Sequence, residues 1–148
     1  MADFLTQSFY ERPFLTVAEE LIGCTLVWGG CEGVIVEVEA YACEGDEACH
    51  TMTRPSAREF VARHPPGTAY VYLNYGMYWL LNVLAGDGIV LFRALEPVAG
   101  LEAMRRRRGR EAAADVCSGP GELGRALGLS AADHGRRRAF PRAVDGRA

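Results

Sequence analysis

The run Val34-Ile35-Val36-Glu37-Val38-Glu39-Ala40-Tyr41 has the composition and alternation of a β-strand. In a strand successive side chains point to opposite faces. Val34, Val36, Val38 and Ala40 therefore share one face, and Ile35, Glu37, Glu39 and Tyr41 share the other. The wholly apolar set is the expected core face. Upstream, Cys24 to Trp28 reads as a second strand, joined to the first by a Gly29-Gly30 turn or a slightly longer one through Gly33, which makes the pair antiparallel.

Before these strands, Thr16-Val17-Ala18-Glu19 reads as a capping box opening a short helix with Leu21 and Ile22 on one face and Gly23 as its stop. After them, residues 42 to 67 are rich in Gly, Pro, Thr, Arg and acids without a sustained period, and are expected to form a long surface loop. Ala69 to Leu73 and Ile89 to Leu95 are further strands. Met77 to Leu84 is apolar throughout, and periodicity leaves it as strand or buried helix. Gly100 to Arg110 is expected as a helix with Leu101 and Met104 inward, and Glu122 to Leu127 as another ending at Gly128. Strands in succession with helices at the ends predict an α+β fold: one domain, a mostly antiparallel curved β-sheet and flanking helices.

A chain of 148 residues, 49% of them hydrophobic, is enough for one core. No stretch approaches the apolar length of a membrane span, and Asp3 stands where a signal peptide has basic residues. The expectation is a cytoplasmic protein without a membrane partner. Five cysteines at irregular spacing argue against a disulfide framework and for a reducing compartment. Cys43, Cys49 and His50 lack the paired spacing that would complete a metal site, so no metal and no cofactor is expected.

The net charge of −3 hides an asymmetry, because acids dominate up to residue 99 and Arg dominates beyond it. Arg105 to Arg108 with Arg110, and Arg136 to Arg138, either neutralise phosphates or form a solvated face and a tail. All 16 basic residues are Arg. Without Lys the chain has no P-loop amine and no ε-amine for a Schiff base; only the terminal amine remains.

Several side chains stand out as chemistry. Glu37 and Glu39, one pleat repeat apart, suit acid/base work at a glycosidic bond, or are two solvated acids on an exposed face. Tyr70-Val71-Tyr72-Leu73-Asn74-Tyr75-Gly76-Met77-Tyr78 holds four tyrosines in nine residues. Such rings stack unpaired bases or pack a core strand. Gly76 marks a turn that presents Tyr75 or Met77 outward. Arg93, in the apolar run Ile89 to Leu95, needs a carboxylate partner such as Glu39, Glu37 or Glu96, and Asn82 needs a hydrogen-bond partner.

Together these segments resemble the alkyladenine (3-methyladenine) DNA glycosylase family that lacks a helix-hairpin-helix motif. The similarity runs from Ser8-Phe9-Tyr10 to Leu129. It includes Ile35 to Tyr41, Asp46-Glu47-Ala48-Cys49-His50, Tyr70 to Met77, Leu91 to Pro97 and Gly119-Pro120-Gly121-Glu122-Leu123. The resemblance implies Glu39 as general base, with Arg93 and Asn82 holding it and the water. It implies Tyr41, His50 and Tyr72 as the pocket for an extruded base, Tyr75 as a wedge in the duplex, and Met77 beside it. The implied partner is double-stranded DNA containing a damaged purine, acted on by a monomer in a prokaryote-like, nucleoid-associated setting.

The sequence departs from the family pattern at Cys49, where Ser or Ala is usual, and after Gly135. There the family continues with further sheet-forming segments. The expected organisation is a glycosylase-like domain over 1–134, incomplete at its C-terminal side, and an Arg-rich disordered tail over 135–148. The alternative to a monofunctional glycosylase of base excision repair is a catalytically inactive remnant that binds damaged DNA.

Overall fold

The computed structural model describes residues 4–43, 55–109, 116–136 and 141–142. Helices α1 (Gln7–Tyr10) and α2 (Phe14–Leu21) lead into strands β1 (Thr25–Trp28) and β2 (Cys31–Ala42). Helix α3 (Pro55–Arg63) precedes β3 (Ala69–Asn74), β4 (Tyr78–Leu84) and β5 (Gly88–Ala99). Then come α4 (Leu101–Arg108), α5 (Pro120–Leu127), a 3-10 turn at Ala131–Asp133 and the short β6 (Pro141–Arg142). The strands form one sheet in the order β3-β4-β5-β2-β1-β6, antiparallel at every pairing. The fold class is α+β, as the sequence implied.

The β1–β2 hairpin closes through Gly29 and Gly30, with Trp28 opposite Cys31 and both glycines left-handed at φ 55 and 82. Positive φ at both central positions matches the twist of the strands and favours Gly there. The shorter of the two connections is therefore the one formed.

The expected single apolar face of β2 is not observed along its whole length. Ile35 is fully buried whereas Val36 is 44% exposed. The reason is a register shift. Ile35 pairs with Leu95 and Glu37 with Ala94, so Val36 is an extra residue on β2. Glu37 pairs with Ala94 and Val38 with Phe92, so Arg93 is an extra residue on β5. The paired bulges change the parity of β2. Before them Cys31 and Ile35 are in the core; after them Val38 and Ala40 pack on it.

The main core lies between this face and the helices, with Leu26, Ile35, Leu81, Val83, Val90 and Phe92 beneath Val17, Leu21, Met104, Leu123 and Leu127. β4 is covered on both faces, since Leu81 and Val83 join this core while Leu84 joins a smaller cluster opposite. A strand apolar on both sides loses its period of two.

Two local expectations change. α2 starts at Phe14 after Pro13, without the capping box at Thr16. Its first N–H is met by Asp87 Oδ1 at 2.8 Å, 73 residues away, a tertiary cap that no local pattern announces. The capping box instead sits at Ser130, whose hydroxyl accepts from Ala132 N while Asp133 accepts from Ser130 N. The expected loop over 42–67 contains α3, whose Ala57, Phe60 and Val61 join the smaller cluster at the i, i+3, i+4 spacing of a helix face.

The basic cluster of α4 is half-buried at Arg105 and Arg108 and exposed at Arg106 and Arg107. Arg107 Nη1 donates to Ala126 O at 2.9 Å in the last turn of α5, and Arg108 Nε donates to Val116 O at 3.0 Å. These two arginines tie α4 to its neighbours through backbone carbonyls; Arg110, Arg137 and Arg138 lie outside the described residues. Part of the stretch expected as a disordered tail is placed. Gly135 N donates to Ala69 O, Ala69 N donates to Arg136 O, and β6 pairs with β1. Arg136 also lies over the Trp28 ring at 4.4 Å. One short segment thus meets β3 at one edge of the sheet and β1 near the other, which requires a strongly curved sheet.

Candidate active site

Cross-strand neighbours share a face, and the register places Tyr70 opposite Asn82, Asn82 opposite Leu91, and Leu91 opposite Glu39. Four strands therefore contribute one residue each to a single row on the face away from the main core. Tyr41 stands opposite Ile89 on one side of this row and Tyr72 opposite Leu80 on the other, and both pack against the cluster of Tyr70, Leu84 and Ile89. The bulge after Ile35 sets this parity: it lets Ile35 enter the core while Glu39 and Tyr41 turn to the other side.

Glu39 is held at both oxygens. Tyr41 Oη donates to Oε1 at 3.0 Å, and Arg93 Nη1 lies 3.3 Å from Oε2. The Glu39 side chain is 37% exposed and that of Arg93 43%, so the pair is open to water and its strength is that of a screened contact. Arg93 Nε is buried without a partner among the described residues. Burial, then the hydrogen bond to Glu39 and its charge, push the Tyr41 phenol up to about 12, with Arg93 opposing. Tyr41 remains a protonated donor throughout the neutral range.

Asn82 is 2% exposed and donates from Nδ2 to Tyr70 O at 3.1 Å. It shares the face of Glu39 but stands one strand beyond Leu91, and among the described residues no hydrogen bond joins it to Glu39 or Arg93. Glu37 is exposed and forms no ion pair among the described residues. Between its partner Ala94 and the Glu39 partner Leu91, β5 advances three positions instead of two, so the β5 bulge lies opposite the two acids, which stay one pleat repeat apart on β2. His50 lies outside the described residues.

Tyr72 is set by a stack that sequence reasoning missed. Phe60 lies between His64 and His134, at 4.0 Å from each ring. Tyr70 rests 5.4 Å from Phe60, and Tyr72 rests 5.5 Å from Tyr70. His134 Nδ1 accepts from Val71 N at 3.0 Å; burial, then His64, lower its pKa. The Ala57–Phe60–Val61 spacing was the available sequence signal for the Phe60 side of this stack.

Beyond Tyr72 the strand ends in a tight turn, Met77 N donating to Asn74 O at 3.0 Å. Tyr75 is the only non-glycine with positive φ among the described residues, at 54, followed by Gly76 at 64. A left-handed tyrosine costs about 1–2 kcal/mol. The turn presents Tyr75 at 87% exposure and Met77 at 61%.

No group of three or more His, Cys, Asp or Glu among the described residues is arranged to hold a metal ion. No helix there is long and apolar enough to cross a membrane.

A family model described as methylpurine-DNA glycosylase (MPG) matches residues 8–142. Three relatives carry the name "Putative 3-methyladenine DNA glycosylase". One from Rhodopseudomonas palustris is 48% identical over 139 residues, covering 91% of this chain and 67% of its own length. One from Rhizobium etli is 46% identical over 124 residues, covering 83% and 62% respectively. One from Chlorobium phaeobacteroides is 42% identical over 140 residues, covering 88% and 70%. The chain thus spans about two thirds of the length of these relatives.

Proposed function

The chain belongs to the methylpurine-DNA glycosylase family, and from that premise we propose that it hydrolyses the N-glycosidic bond of alkylated, and also deaminated, purines in duplex DNA. The observation that carries this reading is the Glu39 carboxylate, fixed between the Tyr41 hydroxyl and Arg93 yet open to water.

Turning a purine out of the stack costs a few kcal/mol, least where damage has weakened its pairing. Alkylation at N3 or N7 makes the base cationic. A cation stacks well on electron-rich phenol rings, which Tyr41 and Tyr72 offer on the Glu39 side of the sheet. Glu39 takes a proton from water as the water oxygen bonds to the sugar C1′. The N-glycosidic bond breaks, and the alkylated base leaves with its electron pair and loses its charge; a neutral deaminated base leaves as an anion and takes its proton from water. General base help of this kind is worth about 10² to 10⁴ in rate. Asn82 holds the Tyr70 backbone across the sheet, Arg93 orients Glu39, and Tyr75 with Met77 fills the gap left in the duplex. His50 completes the pocket in this reading.

The product is an abasic site in an unbroken strand. Strand cleavage through a Schiff base needs an amine, and without Lys only the terminal amine could supply one. Borohydride added during the reaction should trap no protein–DNA adduct.

The test is a duplex carrying one 7-methylguanine or one hypoxanthine. Free base should be released by the native chain and not by Glu39→Gln; full activity in that variant would end the assignment. An inactive DNA-binding remnant would instead bind the duplex in a salt-dependent way and release nothing at any protein concentration.

A further inference from the structure

This inference rests on the reading above, that duplex DNA is the substrate, and concerns a residue outside the Glu39 face. α5 lies unusually close to the start of β4. A Cβ added to Gly121 would come within 2.6 Å of the Tyr78 ring, and one added to Gly124 would collide with Trp79 O. Two glycines spaced three apart, on one face of the helix, let the backbones approach. Arg125 follows directly, and its guanidinium carbon lies 5.2 Å from the centre of the Tyr78 ring.

Tyr78 closes the hairpin whose tip presents Tyr75 and Met77, pairing with Asn74 at its base. Met77, Tyr78, Gly121 and Arg125 line a common cleft of about 260 Å³. Arg125 is exposed and enters no ion pair among the described residues. The carboxylate nearest in sequence is turned away: Glu122 Oε2 would lie 2.5 Å from a Cβ on Gly119, over the start of its own helix. Arg12, Arg93, Arg107 and Arg108, by contrast, are engaged with carboxylates or carbonyls inside the protein.

We propose that Arg125 and the Tyr75–Met77 tip form one DNA-binding edge, in which Arg125 contacts a backbone phosphate beside the step that Tyr75 enters. A planar guanidinium suits bidentate contact with a phosphate. Its position on the Tyr78 ring lowers the freedom to be lost on binding. Such a contact fixes register on the duplex and reads no sequence.

Binding of the full chain to an undamaged, fluorescently labelled duplex, measured by anisotropy across a salt series, tests this. Arg125→Gln should weaken binding to undamaged and alkylated duplex alike and reduce the slope of log K against log salt by about 0.9, the value for one phosphate. Arg125→Lys should keep the slope. Tyr78→Leu should lower affinity at unchanged slope, because the charge remains and only its placement is lost. An unchanged slope in a cooperatively melting Arg125→Gln, or a native chain that shows no salt-dependent binding, overturns the proposal. If Arg125→Gln does not fold, Tyr78→Leu decides, and native affinity in it overturns the proposal. Undamaged duplex is bound without base release, so the two readings fail separately. A chain that loses the slope but never releases a base ends the enzymatic reading alone; base release with an unaltered slope ends this one alone.

Discussion

The Arg93 guanidinium meets the Glu39 carboxylate, Nη1 to Oε2 at 3.3 Å, from a strand position that has no partner across the β2–β5 ladder. Arg93 is the extra residue of one bulge, and Val36 is the extra residue of the other. Bulges re-aim side chains and increase local twist. Here they change which face the second half of β2 presents, and they free Arg93 to reach diagonally to Glu39. The same irregularity that interrupts the core pattern builds the site.

Replacing Glu39 by Gln should separate chemistry from stability. The amide keeps an acceptor for the Tyr41 hydroxyl and has no carboxylate to take a proton. Single-turnover release of 7-methylguanine should fall by at least about 10²-fold, the lower end of general base help. The Glu39–Arg93 contact is more than one third exposed at both ends and is worth at most about 1 kcal/mol. The thermal midpoint should move by only a few degrees, and a large drop in melting with retained activity would contradict the assigned role.

The bulge makes a sharper test. Val36 is 44% exposed, so Val36→Ala should leave both melting and base release close to native. Deleting Val36 leaves Ile35 and Glu39 three positions apart, which a regular strand places on opposite faces, so both keep their sides without the bulge. The deletion variant should still melt cooperatively in circular dichroism, having lost only the local twist that the bulge adds. Loss of the cooperative transition in it would show that the bulge does more than set the faces of Ile35 and Glu39.

Much of this arrangement was legible in the residues, and the exceptions have physical reasons. The Gly29-Gly30 turn, the helix ending at Gly128 and the outward Tyr75 follow from local backbone demands that a sequence carries openly. The need of Arg93 for a carboxylate followed from the cost of an unpaired guanidinium in an apolar strand. The bulges were not legible, since Val36 to Ala40 alternates apolar and acidic side chains without interruption and the shift exists only relative to β5. The Asp87 cap on α2 is likewise a tertiary contact. α3 was hidden by its polar flanks and by a contact face of just three apolar residues.

Acid should loosen the segment that covers the edge of β3. His134 faces Phe60, His64, Tyr70 and the Val71 amide, with Asp133 and Arg136 beside it, and its folded pKa is lowered from the usual 6.5. The unfolded chain then binds the proton more readily than the folded one. The contribution of His134 is complete above about 6.5 and declines as pH falls from there toward the lower folded value. His134→Phe keeps a ring on Phe60 but leaves Val71 N–H without its acceptor, at a cost of about 1 kcal/mol. Melting followed from pH 8 to pH 5 should show the variant less stable at pH 8 and the gap narrowing toward pH 5; a constant gap would remove His134 from the acid response.

Tyr75 offers a trade between stability and binding. Its φ of 54 is a conformation that glycine adopts freely, and its ring is 87% exposed, so it has little packing to lose. Tyr75→Gly relieves a strain of about 1–2 kcal/mol and adds freedom to the unfolded chain worth about 0.4–1 kcal/mol. The two nearly cancel, and the melting temperature should stay level or rise slightly. A ring that stacks in a duplex is worth about 1–3 kcal/mol per base, so affinity for duplex carrying an alkylated purine should fall by about fivefold to a hundredfold. Tyr75→Ala keeps the strain and loses the ring, and should bind as poorly as Tyr75→Gly while melting lower. Native affinity for the damaged duplex in either variant would mean that the strained tyrosine is not presented for DNA.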